Sequence, residues 1–310
     1  VLVVACFIAG MAKIQGTFEC MSNIQLWITP RRDFSVFFPV LHIILLTAIE
    51  GSGWLAAWFG HHFTWQMMHV FTVGTMSFVL LTQLLCCRPF CPMPQRLSLK
   101  GMDFQGALLI CALMLVVSYI VVYGDYYMWF DTLHMRVLLG IAIALSGITL
   151  YRLRYYRYPY VEFKLFTCRN VIPILIVTFF AELALGAEHT MEEILYSEVV
   201  RLEELTKESQ YMWALPGMYV GILLDLYWLK VRKWKVWKLF GIAFLCIAFY
   251  GMLMYFTLGN GVNIEQYRLA IFLRGFSYAI LGPTLMWALD ESVPSLELFF
   301  MGLFVFNILH

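Results

Sequence analysis

The residues of this sequence with chemistry to offer are ionisable side chains embedded in long apolar runs. The densest group is Glu182, Glu188, His189, Glu192 and Glu193, inside a run that opens near residue 170. Glu19, Glu50 and Arg274 stand singly in other runs. A charged side chain at the centre of a membrane helix costs about 2.5–3.5 kcal/mol on insertion scales, so it is expected to face a bundle interior or a wet cavity. If the helix continues to about Val200, Glu182, His189 and Glu193 form one stripe. Their offsets of 7 and 4 residues keep the last two within about 20° of the first at 100° per residue. Glu188 and Glu192 form a neighbouring stripe. Desolvation disfavours the charged form of a carboxyl group, which then loads and releases a proton near neutral pH. Histidine titrates in that range without help. Proton loading is therefore the chemistry these residue types suggest. The competing reading ends the membrane near Ala187 and leaves a solvated acidic helix, continued by Glu198, Glu203, Glu204 and Glu208. Arg274 sits mid-span and either balances Glu182, binds an anion or forms a structural ion pair. Glu50 precedes Gly51-Ser52-Gly53, small residues that let another helix backbone approach. Glu19 and Glu50 could equally pair with charges on other helices.

These residues need apolar helices to hold them. Hydrophobic residues make up 62% of the chain and charged ones 13%, against about a quarter charged in soluble domains. Apolar windows place helices at 2–27, 36–58, 65–87, 104–123, 137–151, 170–190, 210–229, 239–258 and 267–289, with a tenth beginning at 298. The ten-residue alternation of barrel strands is missing. Fifteen of the 21 lysines and arginines fall in the first, third, fifth and seventh connections, around Arg31, Arg88, Arg152 to Arg169, and Lys230 to Lys238. The positive-inside rule makes those connections cytoplasmic and puts His61 and His62 outside. Val1 and His310 both lie within apolar runs, so both ends are expected to be truncations. A net charge of +1 offers no basic groove for nucleic acid. Cys86, Cys87 and Cys91 cluster, but no nearby histidine completes a four-ligand metal set. No phosphate-binding loop, Ser–His–Asp spacing or zinc signature stands out, so neither an enzyme nor a metal or other cofactor is expected.

Several connecting segments resemble the major facilitator superfamily, in particular its fourteen-span EmrB-like drug:proton antiporter branch. Pro159, Glu162, Leu165, Phe166, Arg169 and Asn170 fit the "Pro-Leu-hydrophobic-Asp-Leu-Arg-Leu-Phe-x-x-Arg-Asn" run that precedes its ninth helix. Leu195-Tyr196 followed by Leu215-Pro216-Gly217 resembles "Leu-Tyr-x-Gln … Leu-Leu-Pro-Gly", with Glu198 in place of Gln. Gly221 and Asp225, followed by Lys230, Arg232 and Lys233, resemble the superfamily's "Gly-x-x-x-Asp-Arg-x-Gly-Arg-Arg" loop. Leu273-Arg274-Gly275 with Gly282-Pro283 resembles an "Arg-Gly-x-Gly-x-Gly-x-x-x-Pro" helix. Trp65 and Phe71 fit the start of the sixth helix. Two departures stand out. The helix-five antiporter motif, Gly-Pro-x-x-Gly-Gly, reads Ser52-Gly53-Trp54-Leu55-Ala56-Ala57, without its proline. The helix-four arginine falls at Cys6 if Gly10 is the motif glycine, with Lys13 or the Gln15-Gly16 stretch as alternatives.

The resemblance implies an all-α, polytopic transmembrane bundle of major facilitator type, running from about helix four to the start of helix thirteen. Residues 1–87 would end the N-terminal half-bundle, 88–169 would supply two extra linker spans, and 170–310 would begin the C-terminal half. It also implies proton-coupled export of drugs or other small amphipathic compounds by alternating access. Glu182, Glu188, His189, Glu19, Glu50 and Arg274 would then lie on the proton and substrate pathway. Gly221, Asp225, Lys230 and Arg232 would form a cytoplasmic gate, and Gly51, Gly53, Gly282 and Pro283 would serve helix packing. The expected partners are the lipid bilayer, a small-molecule substrate, protons and a periplasmic adaptor protein, with the chain in a bacterial inner membrane. A carrier for one metabolite, or a non-transporting membrane receptor or assembly protein, is the alternative.

Overall fold

The computed structural model describes residues 7–13, 24–25, 27–29, 33–86, 103–156, 159–257 and 264–309. The described residues are helical with short connections and contain no strand. Among the described residues, eight helices are long and apolar enough to cross a bilayer, and the chain is an integral, multi-pass membrane protein. The expected first span, 2–27, lies mostly outside the described residues; 7–13 are helical. The helices are α1 (Phe34–His62), α2 (Trp65–Cys86), α3 (Phe104–Tyr123), α4 (Leu133–Tyr155), α5 (Val171–Ile194), α6 (Glu204–Tyr211), α7 (Ala214–Leu226), α8 (Val236–Thr257), α9 (Arg268–Ser292) and α10 (Leu296–Leu309). Two π-helical turns, Leu195–Val199 and Tyr227–Arg232, extend α5 and α7.

Several helices outrun their apolar windows. α1 starts two residues before the expected 36–58 and ends four after it, and α4 covers 133–155 rather than 137–151. Hydropathy does not stop a helix; capping and backbone geometry do. Asp33 caps α1 by accepting from the Ser35 backbone N–H at 3.2 Å. Lys233 ends the π-turn after α7 in the left-handed region, φ 52°. The expected cytoplasmic loop from Gly221 is thereby corrected: residues 214–232 are helical throughout.

The chain forms two compact units. The first comprises Val1–Arg88, Ile174–Glu291 and Leu309–His310; the second comprises Pro89–Pro173 and Ser292–Ile308. In the first unit, α1 packs along α6 and α7. Asp33 meets Lys230, the Thr47 and Tyr219 hydroxyls lie 2.9 Å apart, and His61 Nδ1 lies 2.7 Å from Glu203. Residue numbers rise on one side while they fall on the other, so the seam is antiparallel. It covers 28 residues of α1, about 42 Å at 1.5 Å per residue.

The tightest packing joins α7 to α9. A Cβ on Gly217 would strike the Phe272 carbonyl, one on Gly275 the Ala214 carbonyl, and one on Gly221 would come within 2.7 Å of the Phe276 carbonyl. Small residues let membrane helices touch along their backbones, where dispersion replaces the missing hydrophobic drive. The glycines assigned to packing from the sequence behave differently. No described atom lies within 4 Å of a Cβ on Gly51, and a Cβ on Gly53 would meet only the Glu208 side chain. Gly282 faces the His42 ring, and Pro283 is buried beside it. The core around this crossing gathers Leu46, Leu195, Tyr196, Ile222, Met254 and Ile271. Along α2 every described side chain is exposed or half-exposed, among them Val70, Val73, Met76 and Phe78, as a lipid-facing surface requires.

In the second unit, α3 and α4 form an antiparallel hairpin. Asp103 caps α3 through the Gly106 N–H at 2.9 Å and accepts from Arg152 Nη2 at 2.6 Å and Nε at 3.0 Å. The carboxylate is almost fully buried. The Arg152 guanidinium holds it below the usual carboxylate range. A depressed folded-state value means that the link stabilises above about pH 4 and is lost as pH falls through the lowered value.

Two outcomes are expected. Gly217→Ala lowers the thermal stability of the detergent-solubilised protein by about 1–3 kcal/mol through overpacking, whereas Gly241→Ala, with no described atom in reach of its Cβ, leaves it unchanged or slightly raised. In melting-temperature profiles against pH, the wild type loses a stabilising component on acidification below about pH 4, and Asp103→Asn, which keeps a capping oxygen, lacks that component.

Candidate functional site

The acidic stripes of α5 position the site. Before Ala187 the helix is apolar except for Glu182; beyond it the helix continues without interruption to Ile194 and as a π-turn to Val199. The two stripes part as helical geometry requires. Glu182, His189 and Glu193 line a cavity of about 380 Å³. Glu188 and Glu192 turn into the protein and are buried, Glu192 completely. The cavity is walled by five helices: Leu46, Ile49 and Glu50 from α1, the α5 stripe, Glu208 and Tyr211 from α6, Met218 from α7, and Arg274 and Tyr278 from α9.

Arg274 is the electrostatic centre. Its Nε lies 3.1 Å from Glu192 Oε1, with side-chain exposures of 10% and 0%, so the pair is effectively dehydrated. The approach is a charge contact rather than an aligned hydrogen bond. The Tyr250 hydroxyl of α8 donates to the same Glu192 oxygen at 2.8 Å. The guanidinium also sits 5.9 Å from the centre of the Tyr211 ring, near enough for cation–π attraction. On its other side Tyr211 stacks with the His189 ring at 5.7 Å, and its hydroxyl donates to Glu193 Oε2 at 3.1 Å. Lys207 closes the chain, donating to Glu193 Oε1 at 3.0 Å and to Glu204 at 3.1 Å. One connected network thus ties α5, α6, α8 and α9. The second oxygens of Glu188 and Glu192, and the hydroxyls of Tyr196 and Tyr267, are buried without a protein partner among the described residues.

The structure gathers Glu50, Glu182, His189 and Arg274 at the cavity and places Glu188 just behind it. Glu19 lies outside the described residues, as do Cys87 and Cys91. Arg274 pairs with Glu192, where the sequence suggested Glu182. The solvated reading of the distal acidic run holds for Glu198, Glu203 and Glu204, which are exposed, and fails for Glu192 and for Glu208, which is half-buried on the cavity wall. The grouping of Asp225 with Lys230 and Arg232 does not form. Asp225 is fully buried and accepts from the Thr284 hydroxyl at 2.7 Å. Lys230 reaches Asp33, and Arg232 donates to the Tyr227 hydroxyl at 2.7 Å. The five- and seven-residue steps from Asp225 to Lys230 and Arg232 run along a helix, not round a loop, and carry the basic groups past the buried carboxylate. Lys230 in turn holds the Asp33 carboxyl below its usual range.

Glu192, Glu193, Lys207, Tyr211 and Tyr250 complete the network beyond the residues singled out for the pathway. Helical spacing already paired Glu192 with Glu188. Nothing in the sequence separates Tyr250 from the lipid-facing tyrosines, because its role depends on where α8 meets α5. The chain matches no protein-family model, no curated protein and no solved structure.

Removing one member of a buried ion pair leaves the other uncompensated, at a cost of about 3–5 kcal/mol, whereas replacing both with apolar side chains is far milder. Arg274→Met alone should therefore lower thermal stability sharply, and Arg274→Met with Glu192→Met should recover most of the loss. Equal stability of the two variants in unfolding measurements would show that the pair is not the anchor of the site.

Proposed function

We propose that this protein is a secondary active transporter of the major facilitator type, in the fourteen-span EmrB-like branch that its motifs resemble. It exports small amphipathic compounds in exchange for protons by alternating access. The observation that carries this reading is the cavity in the first unit. Apolar helices turn carboxylates, a histidine and one arginine towards a shared space of about 380 Å³. Membrane helices that face ionisable groups inward mark substrate or proton pathways. A volume of this size accommodates a small organic molecule, and Ile49, Leu185, Met218 and the faces of Tyr211 and Tyr278 give it apolar walls.

In such a transporter two half-bundles rock about a site near the midplane. The α1 seam suits that motion. Its end contacts, the Asp33–Lys230 ion pair and the approach of His61 to Glu203, are partly exposed, and polar contacts of that kind are weak and readily exchanged. The cavity occupies the length between them. Inward movement of each proton supplies about 2.3 kcal/mol per 100 mV, enough to drive export when a carboxyl group alternates between proton and substrate. The inner-membrane location and the handover to a periplasmic adaptor rest on the resemblance alone.

The test is flux of a fluorescent amphipathic dye through the full-length protein in proteoliposomes under imposed proton gradients. Export rising with the gradient, and falling at least tenfold in Glu182→Gln, is expected. Flux indifferent to the gradient would refute antiport. Competition by an anionic metabolite together with such indifference would favour a single-metabolite carrier in which Arg274 holds an anion.

A further inference from the structure

Glu188 and Glu192 stand four residues apart on α5, one helical turn, and both side chains turn inward. Glu188 is 8% exposed and Glu192 is 0% exposed. Among the described residues, Arg274 is the single guanidinium or ammonium group acting on both carboxyl groups. Its direct contact is with Glu192 Oε1, which also accepts from Tyr250. The remaining oxygen of each carboxyl group is buried without a protein donor. Two carboxylates and one guanidinium leave one negative charge unbalanced in a low-dielectric interior, where an unpaired charge is heavily penalised.

The surroundings supply no second guanidinium or ammonium group to the pair among the described residues. From α1 comes Glu50, another carboxyl group within the field of Arg274 and Glu192. From α6 come Glu208 and Tyr211, and Lys207 of the same helix is spent on Glu193 and Glu204. From α8 comes Tyr250, from α9 Tyr278, and from the turn just before α9 Tyr267, phenols that bring no cation to the pair. From α5 come Glu182, Glu193 and His189, and from the π-turn that extends it Tyr196; the His189 ring, exposed and stacked against Tyr211 on the cavity side, is the further group whose charged form would favour the Glu192 carboxylate.

We infer that Glu188 and Glu192 hold one proton in common against Arg274, and that this buried pair is the proton store of the transporter, with the cavity-wall carboxylates serving the substrate. The inference rests on the proton-coupled reading above for its role in transport, but the shared proton itself does not. Because the two groups interact across one turn, the proton belongs to the pair and its loss is a property of both. Arg274 is the link to the cavity, since it lines the cavity while balancing the pair. An occupant that presses the guanidinium towards Glu192 favours proton release, and departure of that occupant favours uptake, the opposed binding that exchange requires.

The proton is read directly from the carbonyl stretch of protonated carboxyl groups, which shifts in deuterated water. The measurement uses infrared spectra of the full-length protein in lipid at neutral pH. Glu188→Gln and Glu192→Gln should each lose one carboxyl group's worth of the wild-type band, because the surviving carboxylate then has Arg274 to itself. Arg274→Gln should gain one. Either single variant keeping the full wild-type band overturns the inference. A band lost in both variants, with dye flux indifferent to the gradient, supports the shared proton and refutes the antiport reading instead. Gradient-driven flux with an unchanged band in both variants refutes the shared proton and leaves antiport standing. If Arg274→Gln does not fold, the two glutamine variants still decide the matter.

Discussion

The contact between Arg274 and Glu192 is the constraint on which the rest of the first unit depends. Neither residue tolerates hydrocarbon alone, so α5 and α9 must bring them together wherever else those helices pack. Tyr250 then has to be on hand, because the carboxylate keeps lone pairs that need donors, and this draws in α8. Tyr211 shields the other side of the guanidinium and passes the network through Glu193 to Lys207 on α6. The electrostatic chain and the cavity wall are therefore the same set of side chains.

Polar networks in lipid position helices but do not by themselves hold them tightly, and the second device is steric. At Gly217, Gly221 and Gly275 the backbones of α7 and α9 touch with no room for a methyl group. This crossing fixes where Arg274, one residue before Gly275, can stand. Asp225 and Thr284 lock the same pair of helices further along. Beside this pair, α1 meets α6 and α7 through polar contacts spaced along its length, several of them exposed, and through apolar side chains such as Leu46 in the shared core.

The legibility of these features in the sequence was uneven, for physical reasons. The spans could be read because a bilayer demands about 20 apolar residues wherever a helix crosses, and the described residues contain eight such helices. The separation of Glu182, His189 and Glu193 from Glu188 and Glu192 could be read too, since 3.6-residue periodicity alone assigns them to different faces. Helix ends could not, because Asp33 and Lys233 end helices through caps and backbone geometry that hydropathy does not register. At Gly51 no described atom lies in reach of a Cβ, and at Gly53 only the Glu208 side chain does. The backbone contacts went to Gly217, Gly221 and Gly275, and only the approach of the two helices decides which glycines are used.

By itself, the sequence determined that this is a helical membrane protein, that ionisable groups lie within its spans, and that α5 carries two acidic faces. Each of those follows from local composition and from the period of one helix. Only the tertiary structure decided which face meets a cation and which meets a cavity. It made Glu192 rather than Glu182 the partner of Arg274, put Asp225 with Thr284 instead of with Lys230, and gave Tyr250 its carboxylate. A pairing energy in a medium of low dielectric depends on distance and desolvation, and both are properties of how helices from distant parts of the chain come together.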